Sequence, residues 1–244
     1  MMNASLFSVR TALRLALVAA VLWPIASHAE PLVEPRLTLP PSTEPRVALT
    51  LDACGGTTDM RILNVLISER IPATIFVTGK WLKRNAAALD LIRQHPDLFE
   101  LENHGLNHVA AVDRPRLIFG QKSAGSAAGV VAEVDGGSAA MKAAGLAAAR
   151  WYRGATAEYT LSAMALIENG GARIAGFSLN ADQGASLGAK SVEKRIAAAR
   201  DGDVIVAHIN QPKRPAGDGV VAGIRALKAR NVRFVRLGDV SFSR

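Results

Sequence analysis

The chain holds a single cysteine, Cys54, among 244 residues, and only 5% of its residues are aromatic. One thiol excludes an internal disulfide framework, so stability has to come from packing. No run of Lys and Arg with interleaved aromatics occurs, which speaks against nucleic acid as a partner. No internal repeat is present, which excludes a solenoid or propeller. Histidine is scarce too, with five in all. No apolar stretch is long enough to span a bilayer comfortably; the longest, "LALVAAVLW", lies near the start.

That stretch reads as part of a secretory leader. Arg10 and Arg14 form a basic n-region, and "SHA" before Glu30 places small residues at the −3 and −1 positions. Residues 1–29 are therefore expected to be a cleaved signal peptide, with a periplasmic or secreted product and no stable membrane span after cleavage. Removing 29 residues from 244 leaves 215, enough for one domain with a substantial core. Losing the two leader arginines lowers the net charge from +8 to +6, a surface suited to anionic polymers. Residues 30–45 read as a Pro-rich linker, and 46–244 as the catalytic domain.

Within that domain, short apolar runs alternate with helical patterns. Strand candidates are "RVALTLD" (46–52), "ATIFVTG" (73–79), "LFELEN" (98–103), "RWYRG" (150–154), "RIAGFSLN" (173–180), "DVIVAHI" (203–209) and "RFVRL" (233–237). Helical patterns cover 60–69, 81–95, 161–169, 191–200 and 220–230. An Ala-rich stretch at 127–149 is also compatible with a helix, interrupted at Gly136 and Gly137. Alternating βα units predict parallel strands with right-handed crossovers, and about seven strands favour a distorted or incomplete (β/α) barrel. In such folds the working residues sit where strands end. Asp52, His104, Arg153, Asp182 and His208 all fall at or just past a predicted strand end.

His104 and His108 have the i, i+4 spacing that puts two imidazoles on one face of a helical turn, an arrangement that suits a divalent ion, zinc above all. Such an ion would acidify water and polarise a carbonyl. Asp52 could take the water's proton, and His208 could donate one to a leaving group. Arg153 could keep a carboxylate ionised, with Asp182 as a second partner; the alternative is a structural Arg153–Asp182 pair at the rim. Cys54 reads first as a small buried residue entering a Gly-Gly turn, with a thiolate ligand as the alternative. Trp81, Trp151 and Tyr152 read first as core, with sugar stacking as the alternative.

These residues carry a resemblance to the NodB-type polysaccharide deacetylases, carbohydrate esterase family four. "VALTLDACGG" resembles the T-F-D-D-G motif and "IPATIFVTGKWL" the segment around the second strand. "HGLNH" resembles H-[ST]-x-x-H, with Gly105 in place of Ser/Thr. "RGAT" (153–156), "NADQ" (180–183) and "VAH" (206–208) resemble R-x-P-Y, the aspartate motif and L-x-H. The resemblance implies a distorted barrel with a bound zinc, cobalt or similar ion, acting on an acetylated polysaccharide or oligosaccharide. Asp52 would be the base, His104 and His108 metal ligands, and His208 the acid. Arg153 would orient the base, and the backbone near Thr156 would hold the oxyanion. The second aspartate, a metal ligand in the family, is Ala53 here, and Pro, Tyr and Trp are missing from the later motifs. The vacated position would fall to water, Asp52, Asp59 or Cys54. The expected function is a secreted, metal-dependent removal of acetyl groups from a glycan. The alternatives are a non-catalytic glycan-binding module on the same fold, and an esterase or amidase acting on another acyl group.

Overall fold

The computed structural model describes residues 30–242. In chain order it begins with β1 (Arg46–Ala53), α1 (Met60–Ser68), β2 (Ala73–Val77), α2 (Gly79–Arg84), α3 (Ala86–Arg93) and β3 (Phe99–Asn103). A small hairpin of β4 (Leu117–Ile118) and β5 (Gln121–Lys122) follows, then α4 (Ala127–Ala143), β6 (Trp151–Tyr152), α5 (Leu161–Asn169) and β7 (Arg173–Ile174). The chain finishes with β8 (Leu179–Asn180), α6 (Ala189–Ala197), β9 (Val204–His208), α7 (Ala216–Ala229) and β10 (Arg233–Val235).

Eight strands form one parallel sheet in the order β7-β6-β3-β2-β1-β9-β8, with β10 pairing with the first residues of β1. The strands curl into a barrel that stays open between β7 and β8. The run 173–180, expected as one strand, is two, and they lie at opposite ends of the sheet. Residues 175–178 cross the gap. The Pro-rich stretch lies along this seam: Phe177 N–H donates to Pro35 O at 3.3 Å and Leu37 N–H to Phe177 O at 3.4 Å. A Cβ on Gly176 would sit 2.1 Å from Pro35 O, so only glycine permits this approach.

Two apolar layers follow from strand alternation. Leu49, Leu51, Ala53, Ile75 and Val77 face outward and join residues of α1, α6 and α7 in the largest cluster. Ala48, Phe76, Val204, Val206 and Leu237 face inward and fill the barrel. Trp81, Trp151 and Tyr152 are buried, in line with their reading as core. The expected helix 81–95 breaks at Asn85, whose side chain is used elsewhere: its Oδ1 accepts from Thr58 N–H at 2.9 Å. Helix α4 runs unbroken through Gly136 and Gly137, contrary to the expected interruption. Those glycines are where the helix meets the segment after β3. A Cβ on Gly136 would be 2.7 Å from Leu106, and one on Gly137 2.2 Å from Asn103 Oδ1. The hairpin β4–β5 was not foreseen; its strands are two residues each, too short to show a period. No helix among the described residues is long and apolar enough to cross a membrane, and the proposed leader lies outside those residues.

Candidate active site

The inward column of β1 runs Ala48, Thr50, Asp52 and, just past the strand, Cys54. In the parallel register Asp52 lies opposite His208 of β9, so the two functional groups stand side by side at the strand ends. His104 follows β3 directly, Arg153 follows β6, and Asp182 lies two residues beyond β8. The structure thus brings together five residues that sequence position had singled out.

Asp52 is buried. Its Oδ1 accepts from Arg153 Nη1 at 2.9 Å, and its Oδ2 lies 3.9 Å from His104 Nε2. Burial pushes the carboxyl pKa up, but the charges of Arg153, His104 and His208 outweigh it and hold it below the usual value. Arg153 is fully buried. It also donates to Thr50 Oγ1 (2.9 Å), Ala175 O (3.1 Å) and Gly176 O (3.0 Å), and its guanidinium lies 4.3 Å from the Phe76 ring centroid. The rim pair with Asp182 is therefore not formed; Arg153 belongs to Asp52.

Asp182 serves His208 instead. Its two oxygens accept from the His208 backbone N–H at 2.7 Å and from Nδ1–H at 2.9 Å. Burial opposes charge on this imidazole, but the Asp182 carboxylate and the Cys54 sulfur raise its pKa well above the ordinary value. Its Nδ1 engaged, His208 has Nε2 left for chemistry, and its side chain keeps 17% of its surface exposed.

His104 Nδ1–H donates to the Arg153 carbonyl at 2.5 Å, which orients the ring and turns Nε2 toward Cys54 and Asp52. His108 does not share a helical turn with it. Residues 104–109 form an irregular loop, with Gly105 at φ 85° and His108 at φ 60°, and the two rings meet edge to face at 5.1 Å. Buried Glu133 of α4 shapes this loop. Its carboxylate accepts N–H groups from Asn107 (2.8 and 3.0 Å) and Val109 (3.2 Å). A Cβ on Gly105 would lie 2.4 Å from that carboxylate, so this chain needs glycine at the position. Glu133 was missed by sequence reasoning; a buried acid on an Ala- and Gly-rich helix face was its only signal.

Cys54 is the larger correction. Its Sγ lies 3.6 Å from His104 Nε2, and the donor atoms of Cys54, His104 and His108 all lie within 4.8 Å of one another. Burial pushes the thiol up, yet hydrogen bonds from the surrounding histidines hold it well below its ordinary pKa. The first reading, a turn residue alone, misses this. Ala53 points the other way, into the outer apolar cluster. Asp59 is not at the site: it caps α1 and pairs with Arg61 at 2.6 Å. Thr156 lies in the turn after β6 at φ 71°, half-buried.

The family model for polysaccharide deacetylases matches residues 40–175, more than half the chain. Among solved structures, a CE4 family pseudoenzyme from Bacillus anthracis superposes with a TM-score of 0.67 at 15% identity, over 85% of this chain and 69% of its own. A peptidoglycan deacetylase from Bacillus subtilis gives 0.63 at 17%, over 81% of this chain and 90% of its own. A family 4 acetyl xylan esterase from Clostridium thermocellum, solved with a cobalt ion, gives 0.62 at 23%, over 79% and 88%. At these identities the likeness shows the fold alone. No curated protein matches the chain. Fold, motif order and family match agree, and the chain belongs to the polysaccharide deacetylase family, as a hydrolase of NodB homology.

Proposed function

We propose that the protein is a secreted, metal-assisted deacetylase of an acetylated glycan. The observation that carries this reading is the convergence of two differently tuned groups on one three-donor cluster. Asp52 is kept ionised by Arg153 and His208 is kept protonated by Asp182, both beside Cys54, His104 and His108. One thiolate and two imidazoles, with His104 already oriented through Nδ1, fit a zinc ion, and a cobalt ion takes the same donors. When bound, the ion would polarise the acetyl carbonyl and acidify water.

The chain's own groups supply the rest. Oδ2 of Asp52, free of Arg153, accepts a proton from water as the water oxygen attacks the acetyl carbon. Arg153 holds the carboxylate in place. The backbone N–H near Thr156 would receive the developing oxyanion, as the family resemblance implies. His208 donates its Nε2 proton to the departing nitrogen or oxygen, the carbon–heteroatom bond breaks, and acetate is released. Export rests on the tripartite leader, with Glu30 as the mature N-terminus.

Ala53 in place of the family's second aspartate, and the likeness to a pseudoenzyme, favour one second reading: a glycan-binding module without turnover. Metal content of the purified protein, measured together with acetate release from an acetylated glycan, separates the two. Stoichiometric metal and metal-dependent acetate release support the deacetylase. Glycan affinity with neither metal nor acetate overturns it.

A further inference from the structure

An open cavity of about 360 Å³ reaches from the cluster, at Cys54 and His108, out to the β4–β5 hairpin. Cys54 and His108 form its floor. Lys80, at the start of α2, and Lys122, at the end of β5, stand on its walls with Asn107 and Gln121, and no carboxylate lines it.

Both lysines are positioned by backbone rather than by acids. Lys80 Nζ donates to Asn107 O at 2.7 Å, which uses one of its three N–H groups. Lys122 is on the hairpin, whose base is anchored where Ala110 N–H donates to Lys122 O at 3.0 Å and Ser123 N–H to Arg116 O at 2.9 Å. Among the described residues neither lysine is in an ion pair. Arg84 adds a third cation at the edge, its Nη1 donating to Gly55 O at 3.1 Å. Of the neighbouring carboxylates, Asp52 is paired with Arg153, and buried Glu133, behind the wall, is taken up by the N–H groups of Asn107 and Val109. Two lysines without an acidic partner on the wall of one concave surface leave a positive field that a neutral sugar does not balance. The hairpin next to this wall exposes Phe119 (79%) at its tip, a flat ring against which a pyranose can lie, with Leu117 (68%) on the adjoining strand. A polymer running over the hairpin would therefore present one ring to the tip and the next to the lysines.

We infer that this cavity is a subsite for a carboxylate-bearing sugar adjoining the acetylated one, so that the substrate is an acidic glycan. The inference deepens the deacetylase reading and rests on it for the identity of the acetylated neighbour. A carboxylate could be a ring uronate or a lactyl ether substituent. Either would receive charge-assisted hydrogen bonds from Lys80 and Lys122.

The test uses the metal-loaded full chain and three tetrasaccharides. One is neutral N-acetylglucosamine; the second alternates N-acetylglucosamine with glucuronic acid; the third alternates it with a lactyl ether derivative. Acetate release gives kcat/KM, and calorimetry of the acetylated tetramers with metal-loaded Asp52→Asn gives affinity without turnover. At low ionic strength at least one carboxylated tetramer is favoured over the neutral one by about tenfold, and added salt shrinks the ratio. Which one is favoured identifies the source of the carboxylate. The double variant Lys80→Met/Lys122→Met brings the ratio to about one, and Lys80→Arg/Lys122→Arg retains it. Equal hydrolysis of all three tetramers by the parent and equal binding by Asp52→Asn, or a ratio that survives the methionine variant, overturns the subsite and leaves the deacetylase standing. Charge-dependent binding that the methionine variant abolishes, with no acetate released from any tetramer, overturns the deacetylase and leaves the subsite standing. Binding of none of them overturns the subsite.

Discussion

The two ends of the barrel's interior carry the same kind of group in opposite states. Strand β3 shows this along one face: Glu100, Glu102 and then His104 all point inward. At the upper end, every carboxylate has a cationic or imidazole partner, Arg153 for Asp52 and His208 for Asp182. At the lower end, Glu102 stands beside Glu100 and takes only the backbone N–H groups of Arg150 and Trp151, each at 2.8 Å. Burial, with the like charge of Glu100, pushes Glu102 up to about 8 against those two hydrogen bonds. Glu100 meanwhile takes Arg150 Nη2 at 2.9 Å and the N–H of Gly238 at 2.8 Å, binding the chain's end across the barrel floor. Burial alone makes a carboxyl neutral and structural; burial with a guanidinium makes it an ionised proton acceptor.

The contrast can be broken most severely at the upper end. Asp52→Asn keeps an oxygen for Arg153 but cannot take a proton, so turnover should fall by about 10²- to 10⁴-fold with little change in the unfolding midpoint. His208→Ala should lose a comparable factor. Acetate release and urea unfolding of the same preparations check both, and near-parent turnover in either variant removes that group from the acid–base pair.

Removing the partner instead of the carboxylate should turn the upper end into an unstable copy of the lower. Arg153→Met leaves Asp52 buried without its cation and three acceptors, at Thr50, Ala175 and Gly176, without a donor. Loss of one partner from a buried pair costs about 3–5 kcal/mol, to be read from the denaturant midpoint.

An intermediate effect is expected at the helix that shapes the histidine loop. Gly137→Ala forces a Cβ against Asn103 Oδ1 and the Gly105 backbone, an overpacking cost of about 1–3 kcal/mol. Metal affinity should drop with it, because His104 and His108 move relative to Cys54. A metal titration beside a thermal melt tests this, and unchanged affinity would show that the loop sets itself without α4.

The lower end should show its effect only in the pH dependence of stability, with none on turnover. A native carboxyl with a pKa near 8 holds a proton that the unfolded chain releases above its ordinary value of 4.5. Stability should therefore decline as pH rises through that window. Glu102→Gln, which keeps an acceptor for Arg150 and Trp151, should flatten that decline without altering turnover. Melting temperature against pH for both proteins is the measurement; parallel curves would refute it.

Much of the upper end was legible because a strand end leaves a simple trace, an apolar run closing on a polar residue. Asp52, His104, Arg153 and His208 all carry it. Partnership was not legible. Nothing local distinguishes an Arg153 that binds Asp52 from one that binds Asp182, since that choice depends on sheet order. The two strands hidden in 173–180 lie at opposite edges of the sheet, which no window on the sequence reveals. Cys54 meets His108 in a loop whose N–H groups are tied down by Glu133, far along the chain. Gly136 and Gly137 look like helix breakers until their neighbour is known.

The open seam has a consequence for the base itself. In a barrel closed by a full ladder, carbonyls at the closing strands are consumed by neighbouring N–H groups. Here Ala175 and Gly176 sit where closure fails, and their oxygens are spare. Arg153, desolvated completely, needs acceptors for the N–H groups that do not face Asp52 or Thr50, and it finds them there. The defect in the cylinder is thus the socket in which the guanidinium is seated. A fully zipped barrel would leave this arginine without acceptors and Asp52 without its guanidinium partner.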